Sequence, residues 1–276
     1  MRARLLPSLV LFAAALVPLS GWFFGDWSGA STLVVYWVET MLICLFAWAR
    51  IRLHQRRAPR YGHFRYVPPE SPAGAQTGSF ATGFLTRAVA FSIGHGVFLV
   101  AALLVLARSG HPDIAEVDWR DVGIGCLSIA ALLAIDFLVE LPTLRRWSFR
   151  QVELSAQRGL SRMAVVHLTL ILGLAAIALT DIPDAIFGVF VILKTLAALG
   201  GAFPQWEPTA PPRRLARLMN RLPGAGPGIR FEDAWAADQG REQDRRERNE
   251  EPWAIAGEQP RRISAPERRD TDRRTR

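Results

Sequence analysis

Apolar residues gather into six blocks along the chain: 5–25, 30–50, 86–107, 122–144, 163–180 and 184–203. Short stretches dense in arginine, aspartate, proline and glycine separate them. Each block is roughly 18–23 residues long, enough to cross about 30 Å of hydrocarbon at ~1.5 Å per residue. Residues 1–203 therefore read as an all-α integral membrane bundle of about six transmembrane helices. Beyond residue 204 the pattern stops. Residues 204–223 read as a juxtamembrane linker and 224–276, charged with both signs and poor in large apolar residues, as a disordered cytoplasmic tail.

The first block, in MRARLLPSLVLFAAALVPLSGWFFG, has the basic start and apolar middle of a signal peptide. It lacks a small-x-small cleavage site and runs into Trp22, Phe23, Phe24 and Trp27, which read as an interfacial aromatic belt. A retained helix is the expectation. Between the second and third blocks, the loop from about 51 to 85 is the longest between spans, and FRYVPPESPAGAQTGSFATG within it reads as irregular cytosolic chain.

Half of the 276 residues are hydrophobic and the formal charge is +8. The distribution of that charge matters more than its sum. Arg2 and Arg4 precede the first block; Arg50, Arg52, Arg56, Arg57, Arg60 and Arg65 follow the second; Arg145, Arg146, Arg150, Arg158 and Arg162 follow the fourth. The alternate loops hold Arg108 and Arg120 among Asp26, Asp113, Glu116, Asp118, Asp121, Asp181 and Asp184. With six spans the three basic segments share one side, which the positive-inside rule makes cytoplasmic, with both termini there too and the cell (plasma) membrane as the location. The basic balance is thus a topology signal. Nucleic acid is excluded as a partner, since no recognition motif accompanies the charge.

In the linker, PPRRLARLMNRLP spaces Leu215, Leu218, Met219 and Leu222 helically, with Arg213, Arg217 and Arg221 on another face. A short basic amphipathic helix near 211–223 is expected, either lying on anionic lipid headgroups through Arg213, Arg214, Arg217 and Arg221 or serving as a solvated linker.

Away from the block ends, six acidic, basic or imidazole groups fall inside the apolar blocks: Glu39, His95, Asp136, Glu140, His167 and Lys194. A charge at mid-bilayer costs about 2.5–3.5 kcal/mol on insertion scales, so such groups face the bundle interior, pair or lose their charge. Counting from the block ends places Glu39, His95 and Lys194 near mid-bilayer, Asp136 in the cytoplasmic half, and Glu140 and His167 near the cytoplasmic interface. Lys194 is the only lysine among 33 basic residues. Its natural partner at equal depth is Glu39, either as a buried pair fixing helix register or as part of a proton, ion or substrate path. His95, between Gly94 and Gly96, suits a hydrogen bond across a close helix contact. Asp136 and Glu140 share a face at i and i+4, and with His167 they compose a donor set that a metal would accept. No HExxH, nucleophile elbow, P-loop or dinucleotide fingerprint is present, and no metal ligand is assigned. Cys44 and Cys126 read as small hydrophobes.

The same residues carry a resemblance. Tyr36-Trp37-Val38-Glu39, His95-Gly96-Val97-Phe98, HLTLILG from His167 to Gly173, and Lys194-Thr195-Leu196 fall in order on successive blocks. The chain in this respect resembles the prokaryotic multi-pass membrane-protein family called domain of unknown function 6498. The resemblance implies a multi-pass architecture and no activity. A structural or interaction role is the leading reading, with no enzyme chemistry favoured. A small permease or ion-coupled carrier using Glu39, His95 and Lys194 stands beside it, and an intramembrane metalloprotein or enzyme comes third. Cofactor and substrate are not legible.

Overall fold

The computed structural model describes residues 2–69, 77–108, 116–161, 164, 192, 208, 210–221 and 230–253. Within them run helices α1 (Arg2–Phe24), α2 (Gly29–Arg57), α3 (Tyr61–Phe64), α4 (Phe80–Arg108) and α5 (Trp119–Glu140). A 3₁₀ turn at Leu144–Arg146 leads into α6 (149–161), and α7 (Arg213–Met219) and α8 (Phe231–Glu250) follow. Strand pairing among the described residues is limited to an isolated antiparallel bridge between Arg60 and Pro252. Apart from residues 164 and 192, the fifth and sixth apolar blocks, His167 and Lys194 included, lie outside the described residues.

Among the described residues, three helices are long and apolar enough to cross a membrane: Gly29–Arg57, Phe80–Val105 and Trp119–Glu140. The shortest, of 22 residues, spans about 33 Å at the α-helical rise. On α4 the core residues Ala81, Phe84, Ala88, Leu99 and Ala102 lie on one face, and Leu85, Val89, Ile93, Val97, Val100 and Leu104 form an exposed stripe. An apolar stripe that long suits lipid rather than water.

Helix α2 is the hub and packs against α1, α4 and α5. Against α4 it runs antiparallel: Leu33 and Tyr36 cluster with Leu99, whereas Cys44, Ala47 and Ile51 cluster with Phe80, Ala81, Phe84 and Ala88. Against α5 it runs parallel, with Val35 beside Val122 and Ile129. Ser28 caps α2 by accepting from the Ser31 N–H at 3.0 Å, and the Ser31 hydroxyl accepts from the Asp118 N–H at 2.8 Å. Asp118 in turn caps α5 through the Arg120 N–H, also at 2.8 Å. One polar knot thus ties both helix starts together.

At this end Trp27 departs from the aromatic-belt expectation. A Cβ on Gly21 of α1 would lie 2.3 Å from its ring and one on Gly125 of α5 would lie 2.5 Å away. The indole is a spacer wedged between two helices, admitted because both positions lack a side chain.

The opposite end differs from expectation in two places. The loop is shorter than 51–85, since α2 continues to Arg57 and α4 starts at Phe80, and within the stretch expected to be irregular Tyr66 and Val67 are buried. The helix outruns its apolar block because its last polar residues find partners rather than lipid. Nor is all of 224–276 disordered, since Phe231–Glu250 is helical. Its acidic first turn suits the helix dipole, and Arg241–Asp238, Arg245–Glu242 and Arg246–Glu242 pair along it at 3.1, 2.6 and 2.7 Å. Composition counts the missing apolar residues and overlooks these pairs. The expected linker helix near 211–223 is shorter, Arg213–Met219, and leaves Leu215 and Leu218 exposed.

Candidate functional site

Four of the six sequence-selected groups lie among the described residues, at two levels of the bundle. Glu39 and His95 are 6% and 2% exposed, on facing helices. The level is set by Trp37, whose indole N–H donates to the Ser92 carbonyl at 3.0 Å. The Trp37 ring fills the notch at Gly96, where an added Cβ would lie 2.9 Å from it. Glu39 follows Trp37 by two residues, about 3 Å along the axis, so it and His95 share a depth within one turn. The Gly94-His95-Gly96 motif therefore admits an indole at Gly96, while Gly94 faces open space. Lys194, the expected partner of Glu39, lies outside the described residues.

One end of the bundle holds Asp136 and Glu140. Arg50 of α2 reaches both, with Nη2 donating to Asp136 Oδ2 at 2.6 Å and Nε to Glu140 Oε2 at 2.8 Å. Its guanidinium also sits 5.5 Å from the Phe137 ring centroid, inside cation–π range. The spacing that suggested half a metal site is occupied by a planar fork of donors, the geometry guanidinium prefers. Any cation seated on these oxygens would have to displace Arg50, and no group of three metal-donor side chains occurs among the described residues. Expected at the head of a basic loop, Arg50 is instead a buried interhelical tie.

Just beyond lies a histidine pair that no apolar run sets off in the sequence. His54 Nδ1 and His63 Nε2 are 3.0 Å apart, His54 Nε2 lies 3.0 Å from the Trp147 carbonyl, and the Arg60 N–H donates to His63 Nδ1 at 3.0 Å. A carbonyl only accepts and an amide only donates, so the protons are determined. His54 carries its proton on Nε2 and gives it to Trp147, and His63 Nε2–H donates to His54 Nδ1. Both rings are neutral in this arrangement. Burial first, and His54 beside it, pull His63 from 6.5 to about 3. Phe149 stands edge-on to His63 at 5.0 Å.

The third cluster centres on Glu153, 1% exposed, whose carboxylate accepts from the Tyr66 hydroxyl. Arg245 of α8 forks onto both its oxygens at 2.8 and 3.1 Å, and Arg150 reaches Oε2 at 3.2 Å. Burial, then the Glu153 charge, raise the Tyr66 phenol. Asn249 reads both polar groups of Val67, accepting from its N–H and donating to its carbonyl, each at 3.0 Å. Glu250 accepts from the Phe149 N–H at 2.6 Å, capping α6. A local signal for Glu153 exists: Phe149, Val152, Glu153 and Ala156 occupy one helical face at i, i+3, i+4 and i+7, so a carboxylate holds a core position.

The sequence profile of one protein family matches residues 1–222. The chain belongs to the family of unknown function DUF6498. The resemblance carried by YWVE, HGVF, HLTLILG and KTL therefore holds at the level of the family. No curated protein matches the chain, and no solved structure does. Of the three clusters, the Arg50 tie and the histidine pair lie wholly inside the DUF6498 region. The Glu153 cluster joins that region to α8, which lies beyond it.

Proposed function

We propose that this DUF6498 protein is a six-span protein of the cell membrane, with both termini cytoplasmic and a structural or interaction role. The observation that carries the reading is the closed Arg50–Asp136–Glu140 cluster. Its charges are consumed in holding α2 to α5, as in a rigid support, rather than presented to a ligand. The exposed stripe on α4 supports insertion in lipid. Arg213, Arg214, Arg217 and Arg221, beside exposed Leu215 and Leu218, would rest on anionic headgroups of the same leaflet.

Reporter fusions at Gly110 and Gln157 test the threading: the two positions should report opposite sides, and labelling from one side sinks the topology. A second reading rests on Glu39 and His95 sharing a buried level between α2 and α4. There the protein is a proton- or ion-coupled carrier with Lys194 as the third group. Purified protein in liposomes, given a pH step, distinguishes the two. Flux that Glu39→Gln abolishes favours the carrier, and a silent membrane favours the support.

A further inference from the structure

The first turn of helix α8 is held to Asn220, just after α7, and the helix meets the rest of the protein through its last two turns and the three residues after them. Besides the Arg245, Asn249 and Glu250 contacts, the Tyr61 N–H donates to the Glu251 carbonyl at 2.7 Å and the Trp253 N–H to the Pro59 carbonyl at 3.2 Å. Trp253 stacks on Phe64 with centroids 4.6 Å apart. The helical part of this contact is polar: Glu242, Arg245, Arg246, Asn249 and Glu250 face inward, while residues 236–241 stand exposed. Contacts built from charge and hydrogen bonds with little apolar seam are those of transient rather than permanent interfaces.

The charges are also distributed for separation. If α8 left, Glu153 would keep the Tyr66 hydroxyl and Arg150 on its own side. Arg245 would keep Glu242, which it already holds through Nε at 2.6 Å and Nη2 at 2.8 Å on the same helix. Neither half strands a buried charge, the usual penalty for breaking such a pair. The Arg50 cluster is built differently: its three members divide between two helices, and parting them isolates arginine from both acids.

We propose that α8 is a releasable ligand of its own membrane domain, and that residues 59–67 with the start of α6 form a docking site for a helix bearing arginine, asparagine and glutamate at i, i+4 and i+5. The occupant seen is the chain's own tail, Arg245, Asn249 and Glu250. This deepens the interaction role proposed above, and it holds whatever the number of spans.

The test uses the full-length protein in detergent and a fluorescent peptide of residues 230–253. In the parent protein the tethered tail holds the site at an effective concentration of about millimolar, so micromolar peptide binds poorly. Arg245→Met should speed hydrogen exchange in the last two turns of α8 by about tenfold or more, with α2, α4 and α5 unchanged, and should tighten peptide binding by about tenfold. Adding Glu153→Gln should abolish that binding. Asn249→Ala serves as a milder opening variant if Arg245→Met does not fold. Loss of protection in α2, α4 and α5 together with α8 would make the tail part of the core and overturn the proposal. Peptide binding that ignores Glu153, or no binding to either opened variant, would overturn it as well.

Discussion

Replacing Arg50 by methionine keeps most of the side-chain volume and removes the charge that holds two carboxylates. Asp136 and Arg50 have side chains 5% and 10% exposed, so their 2.6 Å contact lies in a low-dielectric setting. Removing one partner of such a pair costs about 3–5 kcal/mol, most of it the penalty on the acid left behind. Glu140, with a side chain 22% exposed, gains solvent more readily, so its 2.8 Å contact adds less. Loss of the guanidinium over Phe137 adds about 1 kcal/mol. Arg50→Met should therefore cost about 4–5 kcal/mol, whereas Arg50→Met combined with Asp136→Asn and Glu140→Gln should recover at least about 2 kcal/mol of that. The assay is a mutant cycle on the purified protein, reading stability by denaturant titration in one detergent. Strictly additive losses would show that the three groups are not energetically coupled and that the tie between α2 and α5 lies elsewhere.

The histidine pair predicts an acid limb. The folded value of His63, near 3, lies below its ordinary 6.5, so between those pH values the unfolded chain binds the extra proton. Stability is full above about 6.5 and falls with acidification toward 3, by up to ~1.4 kcal/mol per pH unit for one such group. His63→Asn should flatten melting temperature against pH across that window, and parallel profiles for variant and parent would refute the assignment. Gly125→Ala should cost about 1–3 kcal/mol by pushing a methyl into Trp27, and Trp27→Ala should relieve part of it. Gly123→Ala, with nothing within 4 Å, is the control, and equal losses at both glycines would sink the wedge. For the mid-bilayer groups, Glu39→Gln and Lys194→Met should each cost about 3–5 kcal/mol and the double variant less than their sum. Additive thermal shifts in detergent would show that the two do not pair.

The sequence alone marked the first four apolar blocks, which became α1, α2, α4 and α5, as long helices. That information is local: a run of apolar residues must satisfy its own backbone, and only a helix does so within one segment. It also marked Glu39, His95, Asp136 and Glu140, because a polar group in an apolar run is conspicuous without any knowledge of neighbours. What those groups touch was not legible. Arg50 looked like a loop charge until α2 and α5 were seen to run parallel, which brings residues 86 and 90 positions apart into contact. His54 and His63 stood in a polar stretch where two more polar residues attract no notice. Trp27 read as interfacial because nothing local says that Gly21 and Gly125 leave room for it. The tail is the sharpest case. Its composition promises disorder, since apolar burial is what such rules count, yet Arg245 and Glu153, 92 residues apart, supply each other's counter-charge. Periodicity is a property of one helix and survives in the sequence. Partnership depends on which helices become neighbours and in what register, and only the tertiary structure decides that.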